Sequence, residues 1–104
     1  MVERRIKPRI QCAYPAIVRG YEPEGGKFEE KAVLGNLSAG GLYLRQNRYI
    51  EKGKKVAVHV RFSSAPPEAA KAPSLATLGF VVRSEVQENG TYGLAIKFQR
   101  YRFI

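Results

Sequence analysis

The chain has no Asp and no Trp, and only one Cys, one His and one Met. A lone cysteine, Cys12, rules out an intrachain disulfide and a Cys-rich metal site, and burial as a small hydrophobe in the first strand is its expected fate. A single histidine, His59, leaves no second imidazole for a metal and no spacing that marks a Ser/His/acid or Cys/His set. Its expected role is a solvent-facing polar residue. All acidity comes from nine scattered Glu, none of which is marked as an acid–base pair. Glycine patterns of phosphate loops and dinucleotide folds are missing as well. No catalytic residue and no metal or cofactor site is expected, and the chain reads as a non-enzyme. Long apolar runs are also lacking: an uncharged stretch such as Ala72 to Val82 is too short to span a bilayer and contains Pro73 and Gly79. The charged N-terminus has no apolar secretion signal. A soluble, cytoplasmic protein without membrane insertion is therefore expected.

What is abundant is positive charge. Ten Arg and eight Lys against nine Glu give a formal charge of +9 and a pI near 10.0. Such a balance favours an anionic partner, whether nucleic acid, nucleotide, acidic protein or membrane surface. With 104 residues, 44% hydrophobic and 26% charged, the chain is one globular domain with a single core.

The pattern along the chain is β throughout. Cys12 to Val18 alternates around Tyr14, Ala16 and Val18, and Pro15 implies an edge or a bulge. Tyr21 to Lys27, with Pro23, Gly25 and Gly26, is a loop. Glu29 to Leu37 is a second strand, with Ala32, Leu34 and Leu37 as core candidates, and Leu42 to Arg45 a short third. Lys55 to Phe62 is the cleanest: Val56, Val58, Val60 and Phe62 share one face, Ala57, His59 and Arg61 the other. Ser63 to Pro73 is a Pro/Ala-rich surface connection. Leu75 to Val86 and Thr91 to Phe98 flank an Asn89-Gly90 turn, a strong hairpin signal, with Tyr92, Leu94, Ile96 and Phe98 pointing inward. Six short strands with tight turns predict an all-β fold, a small six-stranded antiparallel barrel.

Two polar motifs stand out. Arg4-Arg5-Ile6-Lys7-Pro8-Arg9 precedes the first strand, and Asn36-Leu37-Ser38-Ala39-Gly40-Gly41 ends the second. Guanidinium forks match the paired acceptors of phosphate and of the guanine O6/N7 edge. Asn36 and Ser38, two apart, project together from one strand face. Gly40 and Gly41 allow positive φ or leave room beside a ligand. Separately, the first motif is a solvated basic tail and the second a turn. Together they point to a receptor for a guanine nucleotide.

Arg5-x-x-x-Arg9 followed by Asn36-x-Ser38-x-x-Gly41 resembles the paired signature of PilZ domains, the bacterial cyclic di-GMP receptors. Gly79-Phe80-Val81-Val82-Arg83 resembles that family's penultimate strand and Tyr92-Gly93-Leu94-Ala95-Ile96-Lys97-Phe98 its closing strand, so the likeness covers residues 3 to 98. The resemblance implies a PilZ-like split barrel over residues 11–104, with residues 1–10 as a mobile arginine arm that orders on the ligand. It implies cyclic di-GMP as ligand and puts Arg5 and Arg9 on it, with Arg4 as helper, Asn36, Ser38, Gly40 and Gly41 opposite, and Arg83 as an extra contact. An unidentified effector protein would receive the signal, from a monomer or homodimer. Asn36 stands where Asp is common in the family. The C-terminal helix of many members is absent or reduced to Gln99 to Ile104. Two other readings compete: a basic barrel that binds nucleic acid, and a PilZ-like adaptor working through protein contacts alone. Nucleic acid is disfavoured because most aromatics, such as Tyr92, Phe98 and Phe62, fall at core positions.

Overall fold

A computed structural model describes residues 10–63 and 73–104, with the backbone alone for residues 10–12. Cys12, the arginine arm and most of the Pro/Ala-rich connection lie outside the described side chains. Six strands follow in order: β1 Ile10–Tyr21, β2 Lys27–Leu37, β3 Gly41–Gln46, β4 Lys55–Arg61, β5 Ser74–Val86 and β6 Tyr92–Phe103. All neighbours are antiparallel, and the order β1-β2-β3-β6-β5-β4 closes into a barrel as β4 pairs back onto β1. Closure satisfies the strand edges that an open sheet of this size would expose.

Alternation explains the core. Leu34, Leu44 and Leu94 are cross-strand neighbours and fully buried, and Leu42, Ile96 and Val81 form a second row. Ala16, Val60 and Leu75 form a third. Val18 and Val58 meet Thr77, whose hydroxyl donates to the Val58 carbonyl at 3.2 Å. A buried hydroxyl on a core strand is tolerated because this bond satisfies it. Pro15 lies beside a register shift between Gln11 and Tyr14 and just before the stretch that pairs with β4. Its missing N–H thus falls where the ladder is already interrupted.

One end of the barrel is closed by the segment after β3. Arg48 ion-pairs with Glu22 at 3.0 Å and Glu30 at 3.4 Å, and its guanidinium lies 4.4 Å from the Phe28 ring centroid. Buried Gln46 accepts from the Arg48 amide at 2.7 Å, and Ile50 completes the plug. At the other end Phe62 packs edge-on against Tyr14, and Phe98 meets Tyr101. Within Gln99 to Ile104, where a C-terminal helix was expected to be absent or reduced, β6 continues to Phe103: Arg100 to Phe103 pair with Leu75 to Leu78, and Ile104 exchanges two backbone hydrogen bonds with Ser74.

Close backbone approach sets two glycines. A Cβ on Gly41 would overlap the Ile96 carbonyl oxygen of β6, and one on Gly79 the Lys97 carbonyl oxygen. Neither glycine has positive φ; among the described residues only Gly25, Gly53 and Gly90 do, all in turns. The expected freedom of Gly40 and Gly41 for positive φ is thus corrected. Gly41 is required by strand packing, while Gly40 has nothing within 4 Å of a built Cβ. Gly41→Ala and Gly79→Ala should each destabilise by about 1–3 kcal/mol, as overpacking does. Gly40→Ala should stay within about 0.5 kcal/mol. Urea unfolding of the three variants checks this ordering.

Candidate functional site

Strict alternation would bury both Asn36 and Arg83. Asn36 lies two residues from Leu34 and Arg83 two from Val81, and both of those point into the core. Two bulges change this. In β2 the register passes from Leu34↔Leu44 to Asn36↔Tyr43, so Gly35 is the extra residue and Asn36 turns outward beside Tyr43. In β5 it passes from Val81↔Ile96 to Arg83↔Ala95, so Val82 is extra and Arg83 and Glu85 face out. Ser84 is correspondingly turned inward, opposite Leu94.

The two outward-turned segments border one concave site on the β2–β3–β6–β5 face, with a cavity of about 510 Å³. That volume suits a small-molecule site, which typically spans about 300–1,000 Å³. The turn after β2 supplies Asn36, Ser38, Gly40 and Gly41; β3 supplies Tyr43; β5 supplies Arg83 and Glu85; β6 supplies Lys97. The turn is held tightly: the Ser38 amide and hydroxyl both donate to the Gly41 carbonyl, at 3.0 and 3.4 Å, and the Gly40 carbonyl accepts from the Phe98 amide at 2.9 Å.

A small network organises the wall. Glu85 accepts from the Tyr43 phenol at 3.0 Å and from Arg83 Nε at 2.7 Å, and Gln87 donates to the same phenol oxygen at 3.1 Å. The Tyr43 phenol and then Arg83 hold the Glu85 carboxyl below its ordinary range. Partial burial, followed by the carboxylate beside it, pushes the Tyr43 phenol above the ordinary tyrosine value. The Tyr43 ring reaches diagonally from its partner Ala95 over Gly93, where a Cβ would collide with its hydroxyl. The Arg83–Glu85 pair is about half exposed, with side-chain accessibilities of 59% and 42%. A pair so hydrated is weak, so an anion can draw Arg83 away cheaply. Asn36 differs: its Oδ1 is buried and has no partner among the described residues. An unpaired buried acceptor costs about 1–3 kcal/mol, which a suitably placed donor recovers.

Five of the eight expected site residues, Asn36, Ser38, Gly40, Gly41 and Arg83, therefore meet at one cavity. Arg4, Arg5 and Arg9 lie outside the described residues. The backbone they precede enters the barrel at Ile10, paired with Leu37, itself a residue of this cavity. Tyr43, Glu85, Gln87 and Lys97 were not anticipated. Tyr43 was legible as the outward residue between inward Leu42 and Leu44, whereas Glu85 was hidden by the β5 bulge. Among the described residues no group of His, Cys, Asp and Glu could hold a metal ion. None of their helices is long and apolar enough to cross a membrane.

No curated protein matches the chain in sequence. Several solved structures are similar in fold, among them the following two. The Bacillus subtilis inhibitor of motility (MotI/DgrA) superposes with a TM-score of 0.68 at 17% identity, over 97% of this chain and 45% of that one. The PilZ domain of YcgR from Escherichia coli, solved with c-di-GMP, superposes with a TM-score of 0.59 at 15% identity, over 94% of this chain and 79% of that one. The chain thus spans less than half the length of the Bacillus protein. The PilZ domain family itself matches residues 3–102, nearly the whole sequence, and the chain belongs to that family.

Proposed function

We propose that the protein is a cyclic di-GMP receptor and adaptor, not an enzyme, which orders its N-terminal arm on the ligand and relays the signal to a protein partner in the bacterial cytoplasm. The observation that carries this reading is the convergence of Asn36, Ser38 and Arg83 on a single cavity, next to the point where the arginine-bearing segment joins β1. The family assignment and the YcgR domain solved with c-di-GMP support the same ligand.

In this reading the barrel is the fixed half of the site and the arm the moving half. Arg5 and Arg9 grip a guanine Hoogsteen edge and phosphate oxygens with their planar forks, and Arg4 adds charge. Pro8 keeps Lys7 extended and so separates the two arginines along the arm. Asn36 provides an acceptor for guanine N–H groups, Ser38 a short hydroxyl beside it, and Arg83 leaves Glu85 for a phosphate. Lys97 adds charge from β6. Ordering the arm covers the cavity and changes the surface a partner meets.

Calorimetric titration with cyclic di-GMP, cyclic di-AMP, GTP and a short single-stranded RNA tests the ligand. Only cyclic di-GMP should bind well, and Arg9→Ala should weaken it by roughly tenfold or more, the scale of a lost charge-assisted bond of about 1.5–3 kcal/mol. RNA binding with a steep salt slope and no response to cyclic di-GMP would exclude the receptor reading. Hydrogen exchange tests the mechanism: amides of Glu3 to Arg9 should slow when ligand is added. Unchanged exchange alongside tight binding would remove the arm from the mechanism. Asn36→Ala should cost affinity by about the 1–3 kcal/mol of a lost acceptor while leaving Tm at or above that of the parent, since the unpaired buried acceptor is removed.

A further inference from the structure

A second concave surface lies on the outer face of β1, β4 and β5, away from the nucleotide cavity. Cross-strand register builds it. Arg19, Ala57, Leu78 and Arg100 lie opposite one another across β1, β4, β5 and β6, and Lys55 stands opposite Phe80 in the next row. The first row has a small and apolar centre with a cation at each end. A cavity of about 670 Å³ opens over Val56, Ala57 and Leu78, with Phe28 and Tyr21 at its margin. A second, of about 550 Å³, shares Ala57 and Leu78 and continues towards Arg100 and Arg102. The two form one groove with an aliphatic floor and cationic rails.

We propose that this groove docks an acidic peptide segment of a partner protein, one that carries an apolar anchor residue. Charge complementarity and the apolar floor carry the inference. The first cavity is lined by Arg19, Lys27 and Lys55 against a single carboxylate, Glu29, which Arg19 already holds at 2.9 Å. Farther along, the second is lined by Arg100 and Arg102 and no acid at all. Cations on both sides favour an acidic strand laid lengthwise, and the floor between them accepts one or two apolar side chains. A nucleic-acid strand fits less well, because stacked bases need a run of ring faces, whereas the floor between the cations is aliphatic and each cavity holds one exposed tyrosine, Tyr21 and Tyr101. Within the groove Ala57 and Leu78 are paired on both sides, so recognition there runs through side chains.

Fluorescence anisotropy of the nucleotide-free full chain tests this with a fluorescein-labelled peptide in which glutamates flank a Leu-Phe pair. The chain should bind it, and replacing Leu-Phe by Ser-Ser should weaken binding about tenfold, the equivalent of ~1.4 kcal/mol. Lys55→Glu combined with Arg100→Glu should weaken it at least as much, and Leu78→Ser should mimic loss of the anchor. The charge-matched pair Lys52→Glu and Arg45→Glu, outside the groove, should have little effect. Binding that fails to appear, that is indifferent to the anchor, or that falls equally with both charge-reversal pairs overturns the proposal. So does a single-stranded oligonucleotide of equal charge that binds more tightly than the peptide. The outcome does not depend on cyclic di-GMP, whose binding is read separately on the same variants.

Discussion

In a closed barrel every strand residue faces either the core or the solvent, and a shift of one residue exchanges the two sets. This parity constraint governs the molecule. The inward rows through Leu34–Leu44–Leu94 and Leu42–Ile96–Val81 cannot accept a charge or an amide without losing the core. The chain nevertheless carries Asn36 and Arg83 two residues beyond such positions. One unpaired residue in each strand, Gly35 and Val82, resolves the conflict by reversing the parity there. The cavity beside Asn36 and Arg83 is the consequence: it exists where two strands change sides on the same face of the barrel.

The same constraint explains what could be read from sequence. Strands with unbroken alternation, such as Val56-Val58-Val60 and Leu94-Ile96, revealed their inward faces directly, as did the turn at Asn89-Gly90. The fold class followed from them. Bulges have no periodic signature, so the orientation of Arg83 and the existence of the Glu85–Tyr43 bond were not legible. The C-terminal segment was ambiguous for another reason. Gln99 to Phe103 alternates charged and aromatic residues, and only the facing stretch of β5, Leu75 to Leu78, fixes it as strand. Asn36, Ser38 and Gly41 were legible as a motif because their spacing coincides with a turn whose hydrogen bonds require it.

Within that motif the residues divide their work. Gly41 meets β6 backbone so closely that any side chain would collide with the Ile96 carbonyl. Its presence follows from strand packing whether or not a ligand is bound. Gly40 has open space around it, and its carbonyl anchors the turn to Phe98. On the proposed reading, chemistry toward a ligand rests on Asn36 and Ser38, and of the two Asn36 is the more consequential, because its buried acceptor has no partner among the described residues.

Charge counting then shows why the barrel half of the site is incomplete for a dianion. Arg83 and Lys97 line the cavity against Glu85, a net of one positive charge. Glu85, held ionised by the Tyr43 phenol and Arg83, also repels an approaching phosphate. A ligand with two phosphodiesters thus meets too little compensating charge on the barrel alone, and the deficit is greatest where water is excluded. Arg5 and Arg9 lie just ahead of the residue paired with Leu37 at the rim, close enough in sequence to bring two further cations. Electrostatics therefore favours a site assembled from both halves over one preformed on the barrel, and it ties ligand affinity to the order of the arm.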